Sequence, residues 1–208
     1  MIYLALTVFS TVLLFLIFKE YGKRNIDRIQ AITFNYLTAG LISFFIGSNE
    51  YNNDILNEPW ITSSIFLGVY FIIMFNIMGK TTQKLGITTA SLSSKMSLII
   101  PVIYAIIFQE DKASLIKIFG ITLALSSLYL IIRSDQKKYG PIYLAIILFF
   151  GAGILDTILS SIQHNYLHDR LAYGFFTTTV FFSAFLTGLF VLIFKRKKIK
   201  YKSILGGV

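Results

Sequence analysis

The sequence predicts an all-α membrane protein, a polytopic helix bundle, and three observations support this fold class. More than half of the 208 residues are hydrophobic and only 14% are charged, a balance that soluble domains do not show. The apolar residues are gathered into segments of about 20, the length that an α-helix needs to cross a bilayer. The connections between these segments are short, so no separate soluble domain fits within the chain.

Seven segments qualify as spanning helices, in the order Ile2–Phe18, Ile29–Gly47, Trp60–Gly79, Gly86–Phe108, Ser114–Ile132, Pro141–Ile162 and Leu171–Phe194. The first is the shortest, at 17 residues. It lacks a basic start and a small-residue cleavage site, so we interpret it as a retained helix and not as a signal peptide. Aromatic residues such as Trp60 and Tyr166 mark segment ends at the membrane interface. An eighth apolar segment begins at Ser203.

Charged connections separate the segments, and the number of basic residues alternates between high and low from one connection to the next. The odd-numbered connections hold 15 of the 19 Lys and Arg residues, whereas the even-numbered ones hold 3. By the positive-inside rule the odd connections are cytoplasmic and the N-terminus is outside. We interpret the densest basic run, 195–202, as a topology anchor, with binding of anionic lipid headgroups as the alternative. We predict a multi-pass protein of the inner (cytoplasmic) membrane.

A weak internal repeat divides the chain into two domains. The motif Ile-Tyr-Leu-Ala at residue 2 recurs at residue 142, and residues 65–69 match 204–208, with offsets of 140 and 139 residues. Five helices lie within one period, so the second copy enters the membrane inverted. We predict a first five-helix repeat at 1–139 and an incomplete second repeat at 140–208. Two complete copies need roughly 290 residues, so we expect a fragment or a truncated product.

Two charged residues at bilayer depth are the strongest candidates for a functional site. Lys95 lies nine residues into the fourth segment, and Asp156 lies inside the sixth. The rise of a helix puts Lys95 roughly 13 Å deep, where a charge costs roughly 3 kcal/mol on insertion scales. We predict that both line a transport pathway, in which Asp156 could bind a proton, pair with Lys95 or sense the substrate. The alternatives are snorkelling for Lys95 and an interfacial hydrogen bond to Ser160 and water for Asp156.

Small hydroxyl residues share the fourth segment with Lys95. Ser91 lies on the same helical face as Lys95, whereas Ser94, Ser97 and Pro101 follow a neighbouring stripe. Hydroxyl groups can replace water around a charge, and Pro101 is expected to leave a carbonyl free near Ser97 for a polar contact in the membrane. The alternative is that the serines serve helix packing and that Pro101 only kinks the helix.

Polar residues in other segments extend the candidate pathway. Asn35 and Asn76 are amides at membrane depth, suited to interhelical hydrogen bonding or to substrate contact. His164 and His168 are four residues apart but lack a complete ligand set, so we predict no metal site. The chain has no nucleotide-binding glycine loop, no HExxH and no GxSxG motif. We therefore predict no enzymatic activity and no cofactor.

One stretch of the chain resembles a known family. A turn at 79–87 leads into a helix rich in small residues that contains Lys-Met-Ser at 95–97 and Pro101, followed by Gln-Glu-Asp-Lys at 109–112 and an early glycine at Gly120. This pattern, between Gly79 and Ile132, resembles the EamA-type branch of the drug/metabolite transporter superfamily. The resemblance implies ten helices in two inverted five-helix repeats and secondary transport of small metabolites. It also implies that both termini are cytoplasmic, opposite to the charge count.

These features predict a secondary transporter, a permease for a small anionic or zwitterionic metabolite. Lys95 would offer the positive charge in a central polar cavity. The alternatives are a non-transporting membrane scaffold or assembly partner, and a protein that handles lipid headgroups. The expected partners are a small-molecule substrate and the lipid bilayer, and proton or ion coupling and a homodimer stay open. The net charge of +9 does not indicate nucleic acid binding, because the basic residues lie at the ends of the apolar segments.

Overall fold

A computed structural model describes residues 2–47, 58–108, 114–134, 141–167, 170–196 and 198–207. Every regular element in these ranges is an α-helix. The helices are α1 Ile2–Lys23, α2 Arg28–Gly47, α3 Trp60–Leu85, α4 Ile87–Met96, α5 Ile99–Phe108, α6 Leu115–Ser134, α7 Tyr143–Tyr166, α8 Arg170–Phe194 and α9 Tyr201–Leu205. The structure thus confirms the all-α prediction for the part of the chain that it describes.

Within these ranges, six stretches are long and apolar enough to cross a membrane: Ala5–Lys23, Arg28–Ile46, Trp60–Leu85, Ile87–Phe108, Tyr143–Tyr166 and Ala172–Phe194. The fourth stretch consists of α4 and α5 together. The predicted fifth segment forms α6, a helix of 20 residues. Large apolar side chains such as Phe66 and Phe190 remain uncovered by the protein, as expected for helices that face lipid. The fold is a polytopic helix bundle.

The third helix runs past the end of its apolar segment. It ends at Leu85 and not at Gly79, so Lys80, Gln83 and Lys84 lie on the helix. The turn predicted at 79–87 was therefore wrong for residues 79–85, because polar residues with good helix propensity continue the helix at the interface. Gly86 alone separates α3 from α4, at a φ of 93° that residues with a side chain rarely adopt.

The chain divides into two compact units, and residues 1–24 and 77–157 form the first. Within it, α4 packs against α1 and α6. Gln83 donates a hydrogen bond to the Phe18 carbonyl at 3.2 Å, which joins the end of α3 to α1. Gly153 on α7 lies so close to Ile100 on α5 that a side chain at this glycine would overlap it. The fourth span therefore contacts α1, α6 and α7 within this unit.

Residues 25–76 and 158–208 form the second unit, in which α2 packs along α8. A hydroxyl cluster joins the two helices, because the Ser43 Oγ lies 2.8 Å from the Thr177 Oγ1 and accepts a hydrogen bond from Thr178 at 2.9 Å. Gly188 on α8 lies directly against Thr33 on α2, without room for a larger side chain. Small and hydroxyl residues therefore let the two helices approach closely, as in other membrane helix pairs.

The backbone before α9 is held against the start of α2 within this second unit. The buried Gln30 side chain donates to the Lys198 carbonyl at 2.8 Å and accepts the Lys200 N–H at 3.0 Å. The Ser203 hydroxyl accepts the Asp27 N–H at 3.1 Å. The backbone of the basic run is thus held at Lys198 and Lys200, whose side chains are exposed. We refer to the two Gln30 bonds as the Gln30 clamp.

Candidate functional site

The fourth span is broken in its middle, and this break defines the candidate site. α4 ends at Met96 and α5 begins at Ile99. Pro101 has no N–H to donate to the Ser97 carbonyl, four residues earlier, so a continuous helix would lose a hydrogen bond there. The Ile100 N–H donates to the Ser97 carbonyl instead, at 2.9 Å, and the Leu98 N–H donates to the Lys95 carbonyl at 3.4 Å. Both bonds span three residues and tighten the chain into a turn.

This geometry corrects one prediction from the sequence. The Ser97 carbonyl is not free for a polar contact, since it accepts the Ile100 N–H. The effect of Pro101 lies three to four residues before it, at Ser97 and Leu98, because the helical hydrogen bond that a proline removes reaches back four residues. Pro101 itself is half-buried within α5. It therefore breaks the span rather than bending a continuous helix.

Lys95 occupies the last turn of α4, at the break. The C-terminus of a helix carries partial negative charge, which stabilises a cation in the last turn. The Lys95 ammonium also lies 3.5 Å from the Thr11 Oγ1 on α1, at the long limit for a hydrogen bond. The Thr11 hydroxyl donates to the Thr7 carbonyl at 2.7 Å, which leaves its oxygen facing Lys95 as an acceptor. The protein does not cover the Lys95 side chain, which is exposed.

Asp156 lies half-buried on α7, in the same unit as Lys95. No ion pair joins these two described residues, and the ion pairs found elsewhere in the first unit link Glu20 to Lys23 and to Arg24 on α1. The structure therefore places Lys95 and Asp156 in one compact unit without an ion pair between them. Their roles in a pathway remain predictions.

Two of the predicted serines, Ser91 on α4 and Ser97 in the turn after it, donate hydrogen bonds to nearby carbonyl groups of their own segment. Ser91 donates to the Thr88 carbonyl at 3.1 Å, and Ser97 donates to the Ser94 carbonyl at 2.6 Å. Ser93, which the sequence did not single out, is buried, and its hydroxyl has no hydrogen-bond partner among the described residues. An unsatisfied buried hydroxyl two residues from Lys95 is a stronger candidate for a polar contact than the serines that bond locally. The only sequence signal was its place in a run of serines.

The two predicted amides belong to the second unit. Asn35 on α2 is exposed. Asn76 donates to the Ile72 carbonyl of its own helix at 2.8 Å, and its Oδ1 is buried without a partner in the described part of the chain. The interhelical bond expected of Asn76 is thus absent from the described contacts. Tyr36, which the sequence did not single out either, also has a buried hydroxyl group without a hydrogen-bond partner among the described residues.

Several predicted features fall outside the described residues. His168 of the histidine pair lies outside them. Most of the second, fourth and fifth connections also lie outside them, at 48–57, 109–113 and 135–140. The predicted orientation in the membrane and the division at residue 139 therefore stay predictions. Among the residues that the structure describes, no three His, Cys, Asp or Glu side chains come together.

Comparison with known proteins identifies the family. The model of the EamA-like transporter family matches residues 1–133. An uncharacterized protein from Haemophilus influenzae is 26% identical over 219 aligned positions, which cover 99% of this chain and 72% of that protein. No solved structure matches the chain. The family match confirms the resemblance seen between Gly79 and Ile132 and extends it over the first five helical segments. The chain is a multi-pass membrane protein that belongs to the EamA-like transporter family.

Proposed function

We propose that the protein is a secondary transporter that moves a small anionic or zwitterionic metabolite across the cytoplasmic membrane. Membership in a transporter family supports transport as the general activity and a non-enzymatic role. The sign of the substrate charge is inferred from Lys95. One observation carries this step: a lysine at the end of a broken helix in the fourth span, with no ion pair to a described carboxylate.

The broken span supports a binding role for Lys95. Discontinuous membrane helices offer backbone dipoles and polar groups at mid-membrane, and many transporters bind substrates and ions there. A hydroxyl at 3.5 Å and a helix terminus stabilise an ammonium only in part. A substrate carboxylate would supply the missing countercharge. Because binding relieves this unfavourable state, the interaction favours an anionic group over a neutral one.

Asp156 extends the proposal to zwitterions and to proton coupling. A half-buried carboxyl group within the field of Lys95 can hold a substrate ammonium group or a proton. When a substrate carboxylate neutralises Lys95, the attraction that favours ionised Asp156 weakens. Substrate binding would then promote protonation of Asp156. This linkage is one physical route to coupling between substrate and proton.

The test is transport by the purified protein in liposomes. Liposomes would be incubated with a mixture of isotope-labelled amino acids and carboxylic acids, and the accumulated compounds identified by mass spectrometry. We expect at least one anionic or zwitterionic compound to accumulate above the level in protein-free liposomes. Lys95→Met should abolish this flux, whereas Lys95→Arg should retain part of it because the charge remains.

A matched control is Lys84→Met, which removes another exposed lysine at the end of α3, away from the break. Its flux should equal that of the unmodified protein. Wild-type flux in Lys95→Met would refute the proposed role of the lysine. Accumulation of neutral or cationic compounds alone would refute the proposed substrate charge. A complete absence of flux would favour the scaffold alternative.

A further inference from the structure

The basic run at 195–202 follows α8 directly at the edge of its membrane span. The span ends at Phe194, the last residue of α8. Because a span ends where the hydrocarbon core gives way to headgroups, the residues after Phe194 lie at the level of the lipid phosphates. Five described residues of the run are cationic and have exposed side chains, namely Lys195, Arg196, Lys198, Lys200 and Lys202.

The Gln30 clamp gives two of these lysines a defined spacing. One side-chain amide binds both the Lys198 carbonyl and the Lys200 N–H, and Lys200 has extended backbone angles, φ -103° and ψ 126°. Side chains two residues apart on an extended backbone lie on the same side, with their Cα atoms roughly 7 Å apart. The two long side chains can therefore bring both ammonium groups to a single phosphate group.

No described carboxylate forms an ion pair with Lys198 or Lys200. The ion pairs that described residues do form involve Glu20 on α1, which belongs to the other compact unit. The Asp27 carboxylate, at the start of α2, accepts N–H groups of the first turn of that helix at 3.0 and 3.4 Å. Two exposed cations on one side of a held backbone are therefore suited to an external anion, and lysine is a frequent phosphate ligand.

Exposed apolar side chains accompany the lysines. Phe194 is 80% exposed, Ile199 is 60% exposed and Tyr201 is 73% exposed. A small inorganic anion would leave these side chains uncovered, whereas the acyl chains of a lipid would remove them from water. The surface therefore fits an anion that carries hydrocarbon chains.

We propose that the basic run binds an anionic phospholipid, with its phosphate between the ammonium groups of Lys198 and Lys200 and its acyl chains beside Phe194 and Ile199. The sequence alone gave anionic lipid as an alternative to a topology anchor and did not distinguish one lysine from another. The Gln30 clamp selects this pair, and it holds their backbone before the lipid binds, which lowers the ordering cost of binding. The inference does not depend on the proposed transport function.

A fluorophore in the basic run can report which lipid lies beside it. The protein has no cysteine, so Tyr201→Cys provides a unique thiol at an exposed residue, which would be labelled with uncharged bimane. The full chain would be placed in phosphatidylcholine nanodiscs that contain a small fraction of lipid with a nitroxide on its acyl chain, which quenches the fluorophore at short range. Nitroxide-labelled phosphatidylglycerol would be compared with nitroxide-labelled phosphatidylcholine.

We expect a strong preference for the anionic lipid at the Tyr201→Cys label. Phosphatidylglycerol should give equal quenching at a roughly tenfold lower fraction than phosphatidylcholine, which corresponds to about 1.4 kcal/mol. The matched control is Tyr173→Cys, an exposed tyrosine at the other end of α8, where the preference should stay below roughly twofold.

Two double variants with the same loss of charge distinguish a paired site from diffuse attraction. Lys198→Gln with Lys200→Gln should lower the preference at least roughly fivefold, the effect of about 1 kcal/mol. Lys195→Gln with Arg196→Gln removes two charges from the same run but leaves the clamped pair, so it should lower the preference by less than roughly twofold.

The remaining outcomes would each overturn the inference. An equal loss in both double variants would mean that lipid is attracted only by the total charge of the run. Equal quenching by the two lipids at the Tyr201→Cys label would mean that the run binds no anionic lipid. Loss of the preference in sodium phosphate, but not in sodium chloride of the same ionic strength, would assign the pair of lysines to free phosphate.

Discussion

Replacing Gln30 by methionine should release the basic run from the start of α2. Gln30 is 1% exposed, and both of its hydrogen bonds go to the backbone, at Lys198 and Lys200. Methionine has nearly the same length and shape but neither donor nor acceptor. The loss of two neutral hydrogen bonds at about 1 kcal/mol each amounts to about 2 kcal/mol. This corresponds to a roughly thirtyfold increase in local opening of the segment.

Limited trypsin digestion measures this opening, because the protease cleaves after lysine in an unfolded segment. Gln30→Met should raise the cleavage rate at Lys198 and Lys200 roughly thirtyfold, provided that closing is faster than cleavage. Gln163→Met, at a half-buried glutamine of α7 with no such clamp, is the matched control and should leave the rate unchanged. An unaltered rate in Gln30→Met would refute the reasoning that the Gln30 clamp holds the segment.

The other predictions concern the turn, the charges and the orientation. Gly86→Ala should destabilise the protein by about 1–3 kcal/mol, because its backbone lies at a positive φ in a region that only glycine adopts readily. The expected result is a lower midpoint of thermal unfolding in detergent, and an unchanged midpoint would mean that the turn relaxes freely. The effects of Lys95→Met and Asp156→Asn on thermal stability should be non-additive, with a coupling of about 1 kcal/mol in a double-mutant cycle. Additive effects would exclude an interaction. Cysteines introduced at Asn52 and Lys197 should label from opposite sides of the membrane, and labelling of both from one side would contradict the charge-based topology.

The sequence predicted the helices well and their ends less well. Hydropathy identifies a span because a bilayer requires about 20 apolar residues. It does not identify the end of a helix, which depends on where the backbone hydrogen bonds stop. α3 continues through Lys80 and Lys84 because these residues favour a helix, and it ends only where Gly86 adopts a positive φ. The glycine was the better boundary signal, since it is both a poor helix former and able to adopt the turn.

The candidate site shows a similar division between what the sequence could and could not predict. A lysine at bilayer depth is visible in any hydropathy pattern, so Lys95 was identified at once. Ser93 was missed because a single sequence does not show which of several neighbouring serines faces a tightly packed surface. Gln30 was missed because its partners lie 168 and 170 residues away along the chain. Contacts of this kind depend on the packing of whole helices and leave no local pattern.

The break in the fourth span links the sequence to the proposed mechanism. Pro101 removes one hydrogen bond, and the chain restores the lost pairing with short-range bonds from Leu98 and Ile100. The same turn creates a helix end beside Lys95, so one residue both interrupts the span and stabilises a cation in it. A continuous helix would not offer Lys95 a negative helix terminus. The candidate site therefore depends on both residues, because Pro101 produces the helix end and Lys95 supplies the charge that this helix end stabilises.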